Sequence, residues 1–275
     1  MAGSAPAGFL RPQIRRTRAK RPTWIAKLSI LVDMVPEPIF LVAEWRDLAM
    51  LNYDIDPAIL AEHIPAGCEL DSWDGRTVVS VVGFRFLDTR VLGIPIPFHR
   101  NFEEVNLRFY VRRKVEGRWR RGVVFVKELV PRWAIAMVAR GLYGENYVAL
   151  PMRHFIDRAA GRGPTTIAYE WRRSGEWEGL SMTVSGSPST PADDTEETFI
   201  TEHYWGYTRQ RDRTTVEYQV EHPRWGVWQG TAAGLACDVA SIYGPSFVDA
   251  LSGSPSSALV AEGSAIVVRR GRRLW

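Results

Sequence analysis

The segment Asn101–Val111, NFEEVNLRFYV, alternates in character with a period of two. In a strand that places Val105, Leu107, Phe109 and Val111 on one side and Glu104, Asn106, Arg108 and Tyr110 on the other. Similar patterns recur along the chain. FLVAEW (Phe40–Trp45) runs into MLNYDI, and TVVSVVGFRF (Thr77–Phe86) follows the turn signal Asp74-Gly75. RGVVFVKELV, TTIAYEW, LSMTVSG, FITEHYWGYT and TTVEYQVEH also read as strands, and VLGIPIPFHR reads as a Gly/Pro-rich loop. Two helices are expected after Pro38. Asp56-Pro57 supplies an N-cap acceptor and a first-turn proline for AILAEHI, which stops at Pro65. Pro131 opens WAIAMVARGL, with Ile135, Val138, Ala139 and Leu142 at helical spacing. The polar run Ser185–Glu197 reads as a surface loop, because strands flank it on both sides. Many strands and few short helices, without regular alternation of the two, give an α+β or barrel-like domain.

Composition adds a class, and charge adds a warning. A chain of 275 residues, 45% hydrophobic and 24% charged, has the make-up of an ordinary globular protein and not of a disordered one. Its 11 Trp suit the core and mouth of a β-rich cavity. The net charge of +4 suggests a polyanion partner until the charges are located. Residues 1–27 hold seven basic side chains and no acid, and residues 269–275 hold four more. Setting those eleven aside leaves 24 basic against 31 acidic side chains, so the body carries −7. The termini are therefore expected to be solvated tails making at most weak contacts with RNA or an anionic membrane. Residues 1–22 are assigned to such a tail and 23–275 to a single domain. The apolar stretch Trp24–Val42 is broken by Lys27, Asp33, Pro36, Glu37 and Pro38, so neither a leader nor a membrane span is expected there, but a short helix between the tail and the first strand. Cys68 and Cys237 form no metal or disulfide framework, which fits a reducing cytoplasm. Whether copies of the chain assemble into a homo-oligomer is left open.

The familiar chemical signatures are missing. His63, His99, His154, His203 and His222 make no ligand cluster, and no nucleophile elbow, phosphate loop or dinucleotide fingerprint occurs, so neither a metal nor a cofactor is expected. Two candidates remain. A hairpin turning at Arg211, with His203 opposite Gln219, would set Glu221 diagonally beside His203 as an acid/base pair; the alternative is a half-buried structural histidine. Lys127 shares a predicted face with Val123, Phe125 and Leu129. There it is either a desolvated nucleophile or a strand-end lysine reaching water or a carboxylate. The polar face of Glu104, Asn106, Arg108 and Tyr110 is equally open to two readings, a wet surface and the wall of a pocket.

The ordered segments MLNYDIDPAILAEHIPAGCELDSWDG, FEEVNLRFYV, RGVVFVKELVPRWAIAMVARGLYGENY, FITEHYWGY and VEHPRW resemble the uncharacterised bacterial YqjF-like family over about residues 40–268. That family is similar in fold to the acetoacetate decarboxylases. The resemblance implies a bent antiparallel sheet closed into a cone or barrel around a pocket, with a few helices outside. It aligns the decarboxylases' active-site arginine with Arg46 and one glutamate with Glu104; the second glutamate falls near Ser80, where no acid stands. Their Arg-Glu-Leu motif aligns with Lys127-Glu128-Leu129, and their paired lysines fall near Ala136 and Met137, where there is none. The sequence thus argues against Schiff-base decarboxylation by that mechanism. The expectation is a pocket for a small organic acid or carbonyl compound, serving either a lyase-type enzyme or a non-catalytic binding or sensor protein. Arg46, Asn106, Arg108 and Glu128 would bind the ligand; Glu104, Tyr110, His203 and Lys127 are the candidate catalytic groups. A basic-armed, RNA- or membrane-associated protein is a third alternative.

Overall fold

The computed structural model describes Met1 and residues 36–95, 98–131, 146–158 and 165–274. The expected N-terminal tail, the helix after Trp24 and the helix after Pro131 lie outside the described residues. Glu37–Trp275 is a single compact unit. Its first half contains β1 (Ile39–Asp54), β2 (Glu69–Leu70), β3 (Val78–Val91), β4 (Ile94–Pro95), β5 (Phe102–Val115), β6 (Arg118–Val130) and β7 (Tyr147–Ala149). The second half adds β8 (Met152–Arg158), β9 (Thr165–Arg173), β10 (Glu176–Val184), β11 (Trp205–Arg209), β12 (Thr215–Glu221), β13 (Val227–Ala236), β14 (Ser257–Arg269) and β15 (Arg272–Leu274). They form one sheet in the order β15-β12-β11-β6-β5-β3-β1-β14-β13-β10-β9-β8, with β2 on β5, β4 on β3 and β7 on β6. Neighbours run antiparallel except β6 with β7 and β6 with β11. β12 also pairs with β14 through Val220↔Val268 and Glu221↔Val267.

The alternation in β5 sorts its two faces. Val105, Leu107, Phe109 and Val111 are fully buried against Leu51 and Tyr53 of β1, Val79 and Val81 of β3, and the short helices near Val239–Ile242 and Val248–Leu251. Each such side chain contributes about 1.5–3 kcal/mol relative to exposure, an upper value because the unfolded chain already buries part of that surface. This packing fixes the register, since a one-residue slip would turn the apolar row around. The other face is described below.

Local signals account for the helix at Pro57–Leu60: the Asp56 carboxylate accepts from Ala58 N at 2.9 Å and Pro57 begins the first turn. Three expectations need correction. Phe199 to Thr201 are not strand but the end of a helix, Glu196–Thr201, in which Thr195 Oγ1 accepts from Thr198 N and Glu196 and Glu197 occupy the first turn, where the helix dipole favours acids. VLGIPIPFHR is not wholly loop, because Ile94–Pro95 folds back on β3. The C-terminal arginines are not a solvated tail: Arg269 ends β14 against Glu221, and Arg272 and Arg273 lie in β15 on Glu217 and Asp212. No helix among the described residues is long and apolar enough to cross a membrane.

Candidate functional site

A cavity of about 210 Å³ is lined from β1, β3, β5, β6, β11, β12 and β14. Most of its wall is apolar or aromatic, and the polar groups are concentrated on β5 and β6. Along β5 the residues facing it are Phe102, Glu104, Asn106 and Arg108, so the polar side of the alternating strand faces this cavity. Glu104 and Asn106 are 3% and 2% exposed. Asn106 Nδ2 donates to Glu104 Oε1 at 3.1 Å, and Tyr147 Oη donates to Glu104 Oε2 at 3.5 Å. Glu128 stands opposite Asn106 on β6, 1% exposed, and also lines the wall. Buried carboxylates persist in native folds only where hydrogen bonds replace water.

Arg108 is the cation of this wall. Its Nη2 donates to the Ile200 carbonyl at 3.1 Å and its guanidinium lies 5.6 Å from the Tyr110 ring. Among the described residues no carboxylate lies within ion-pair distance of it. Tyr110 is on the same face one step beyond the cavity wall; its hydroxyl is 2.6 Å from Ser80 Oγ, and Ser80 Oγ donates to Asn52 Oδ1 at 2.6 Å.

His203 lines the cavity between the rings of Tyr110 (4.7 Å) and Phe199 (5.4 Å). Its partner is Asp71, not Glu221. Strand β11 begins only at Trp205, which pairs with Gln219, so His203 lies before the hairpin and Glu221 is taken by Arg269. His203 Nε2 is 3.6 Å from Asp71 Oδ2, and Arg121 Nε donates to the same oxygen at 2.6 Å. Burial, with the charge of Arg121 adding to it, lowers the His203 pKa to about 4 in spite of the Asp71 carboxylate, so the imidazole is neutral at pH 7. Burial pulls the Asp71 carboxyl upward, but the nearby His203 imidazole and the hydrogen bond and charge of Arg121 outweigh it and hold Asp71 below the usual carboxylate range.

Two β-bulges change which residues of β1 and β6 face the pocket. In β1 the register shifts between Arg46 and Ala49, where Asp47 has a φ of 55°, so that Trp45 and Leu48, three apart, both face the cavity. Arg46 is not in the wall. It pairs with Glu44 at 2.9 Å and donates to the Gly263 carbonyl at 3.1 Å. In the β5–β6 ladder the shift between Leu107 and Arg108 reverses the phase of β6, so Val123 and Phe125 face the cavity before it and Glu128 after it. Lys127 therefore pairs with Leu107 on the opposite side and is not a lining residue. Asp71, Arg121 and Tyr147 were not foreseen, and neither was the aromatic wall of Trp45, Phe84, Phe86, Phe102 and Phe125. For Phe84 and Phe86 the signal was present, since they alternate in TVVSVVGFRF as the inward residues of β5 do. Among the described residues no group of three His, Cys, Asp or Glu side chains is placed to hold a metal ion.

Comparison with known proteins gives this geometry a context. The sequence model of the DUF2071 family, described as an uncharacterized conserved protein, matches residues 42–265. The chain belongs to this family. It is 26% identical over 194 residues to the uncharacterized protein YqjF of Bacillus subtilis strain 168, covering 69% of this chain and 76% of that protein. Among solved structures, the DUF2071 chain is similar to an acetoacetate decarboxylase-like enzyme from Sphingomonas wittichii RW1 (TM-score 0.61, 16% identity, 87% of this chain and 94% of that one). It is also similar to acetoacetate decarboxylase from Legionella pneumophila (0.60, 14%, 86% and 88%). A third is the enduracididine biosynthesis enzyme MppR complexed with pyruvate (0.60, 16%, 88% and 92%). At these identities the likeness establishes the acetoacetate-decarboxylase-like, mostly antiparallel fold.

Proposed function

We propose that this DUF2071 protein binds a small organic acid or carbonyl compound in the cavity, with the ligand's carboxylate held by Arg108. The observation that carries this is the guanidinium of Arg108 in a mostly apolar wall, with no carboxylate within ion-pair distance of it among the described residues, since such a group gains most from a bidentate carboxylate. A structural neighbour crystallised with pyruvate supports the ligand class by fold analogy. The β12–β14 pairs support a sheet closed into a cone around the site.

The chemistry proceeds without a lysine adduct. Of the chain's four lysines, Lys114 and Lys127 are among the described residues, and neither lines the cavity. Proton transfer at a bound carbonyl therefore falls to Glu104 and Glu128, with neutral His203 as a hydrogen-bond partner for the oxygen. A second reading, a binding or sensor protein without turnover, is favoured by the same absence of lysine from the wall among the described residues.

Exchange of the hydrogens α to the carbonyl of 2-oxo acids, followed by NMR in deuterated water, separates the two. Enzyme-dependent exchange lost in Glu104→Gln supports catalysis; binding without exchange leaves the sensor. A borohydride-trapped adduct on Lys127 would overturn the lysine-free account.

A further inference from the structure

Taking Arg108 as the carboxylate site, we propose that the ligand is an aryl monocarboxylate, one aromatic ring on a short chain that ends in the acid. Size is the first reason. A protein cavity of roughly 150 Å³ lined by apolar side chains accommodates benzene, and this one, at about 210 Å³, has room for a ring and a three-carbon acid. A ligand of pyruvate's size would leave most of the apolar wall uncovered.

The wall itself is the second reason. Trp45, Phe84, Phe86 and Phe102 all face the cavity and already arrange themselves as aromatic pairs. Phe86 stacks on Phe102 at 4.6 Å, Phe84 meets Phe86 at 5.2 Å, and Trp45 presents its ring edge-on to Phe84 and Phe86 at 5.3 and 5.8 Å. A further ring entering this cluster finds both faces and edges to pack against, a geometry that favours aromatic over alkyl carbon.

Position is the third. Phe84 pairs with Glu104 and Phe86 with Phe102, whereas Arg108 lies four and six residues further along β5, about 13 and 20 Å at the rise of a strand. The flexible arginine side chain shortens that span. Aromatic and cationic ends are thus offset along one strand, with Glu104 and Asn106 between them, where the carbonyl of a 2-oxo acid would lie.

Titration calorimetry on the full chain, with phenylpyruvate, pyruvate, 2-oxooctanoate and phenylacetone at one ionic strength, tests this. Phenylpyruvate should bind about 30-fold more tightly than pyruvate, the gain expected from burying the ring. It should also bind several-fold more tightly than 2-oxooctanoate, and about tenfold or more above phenylacetone, which has the ring without the charge. Equal affinity for pyruvate or for 2-oxooctanoate overturns the aryl assignment and leaves Arg108 as a carboxylate site. Equal affinity for phenylacetone, or no binding by any of the acids, overturns the carboxylate site together with this inference.

Discussion

The burial of His203 has a measurable consequence in acid. Its folded pKa of about 4 lies below the ordinary 6.5, so the unfolded chain takes up the proton first. Above pH 6.5 the residue is neutral in both states and stability is at its full value. As pH falls from 6.5 towards 4 the unfolded state binds more protons than the folded one, and stability is lost. At 1.36 kcal/mol per unit, the loss from this residue is about 2 kcal/mol at pH 5 and about 3 kcal/mol at pH 4. His63 and His222, also lowered by burial, add to the slope of the whole protein, so His203 is read by difference. Urea unfolding of the wild type and of His203→Gln, between pH 7 and pH 4.5, provides that difference. The variant should be less stable at pH 7, where the packing between Tyr110 and Phe199 is disturbed, but should lose about 2 kcal/mol less on going to pH 5. Parallel pH profiles for the two proteins would refute the buried neutral imidazole and, with it, the Asp71–His203 pair.

Other substitutions test the frame and the bulges. Glu217→Gln should cost about 3 kcal/mol in denaturant unfolding, because this fully buried carboxylate holds Arg113 at 2.9 Å, Arg120 at 2.9 Å and Arg272 at 3.0 Å. Gly206→Ala should cost about 1–3 kcal/mol and narrow the cavity, since a Cβ there would stand 2.1 Å from the Tyr218 ring; a variant as stable as wild type would show that Tyr218 has room to turn aside. Lys127→Ala should leave ligand affinity unchanged within twofold by calorimetry, and a tenfold loss would place the ammonium in the site after all.

The opening strand was legible because its alternation is strict and because the apolar side must be buried, which left only the destination of Glu104, Asn106 and Arg108 to the fold. Arg46 was assigned by the resemblance to the decarboxylases and not by alternation, whereas Lys127 falls outside the wall for a physical reason. A bulge inserts a residue against a partner strand, so it is a property of the β1–β3 and β5–β6 ladders rather than of either strand's sequence, and it reverses the faces of everything beyond it. His203, expected beside Glu221, lies in the cavity wall with Asp71 as its nearest carboxylate, 132 positions away and outside any strand, where spacing conveys nothing. The helix at Glu196–Thr201 did announce itself, in Thr195 followed by two glutamates, and the adjoining acidic run concealed the cap within what looked like loop. β14, the partner of β1 along most of its length, is the largest element that patterning overlooked, its alternation being interrupted at Gly263, which has a φ of 78°.

The central claim is that Arg108 receives a carboxylate inside the cavity. Calorimetric titration of phenylpyruvate into wild type and into Arg108→Met, with both proteins first shown to have the same unfolding midpoint, tests it most directly. Saturable binding to wild type that weakens about 10- to 100-fold in the variant is the expected outcome, the size of a lost charge-assisted hydrogen-bonded pair. The same affinity in both proteins would contradict it.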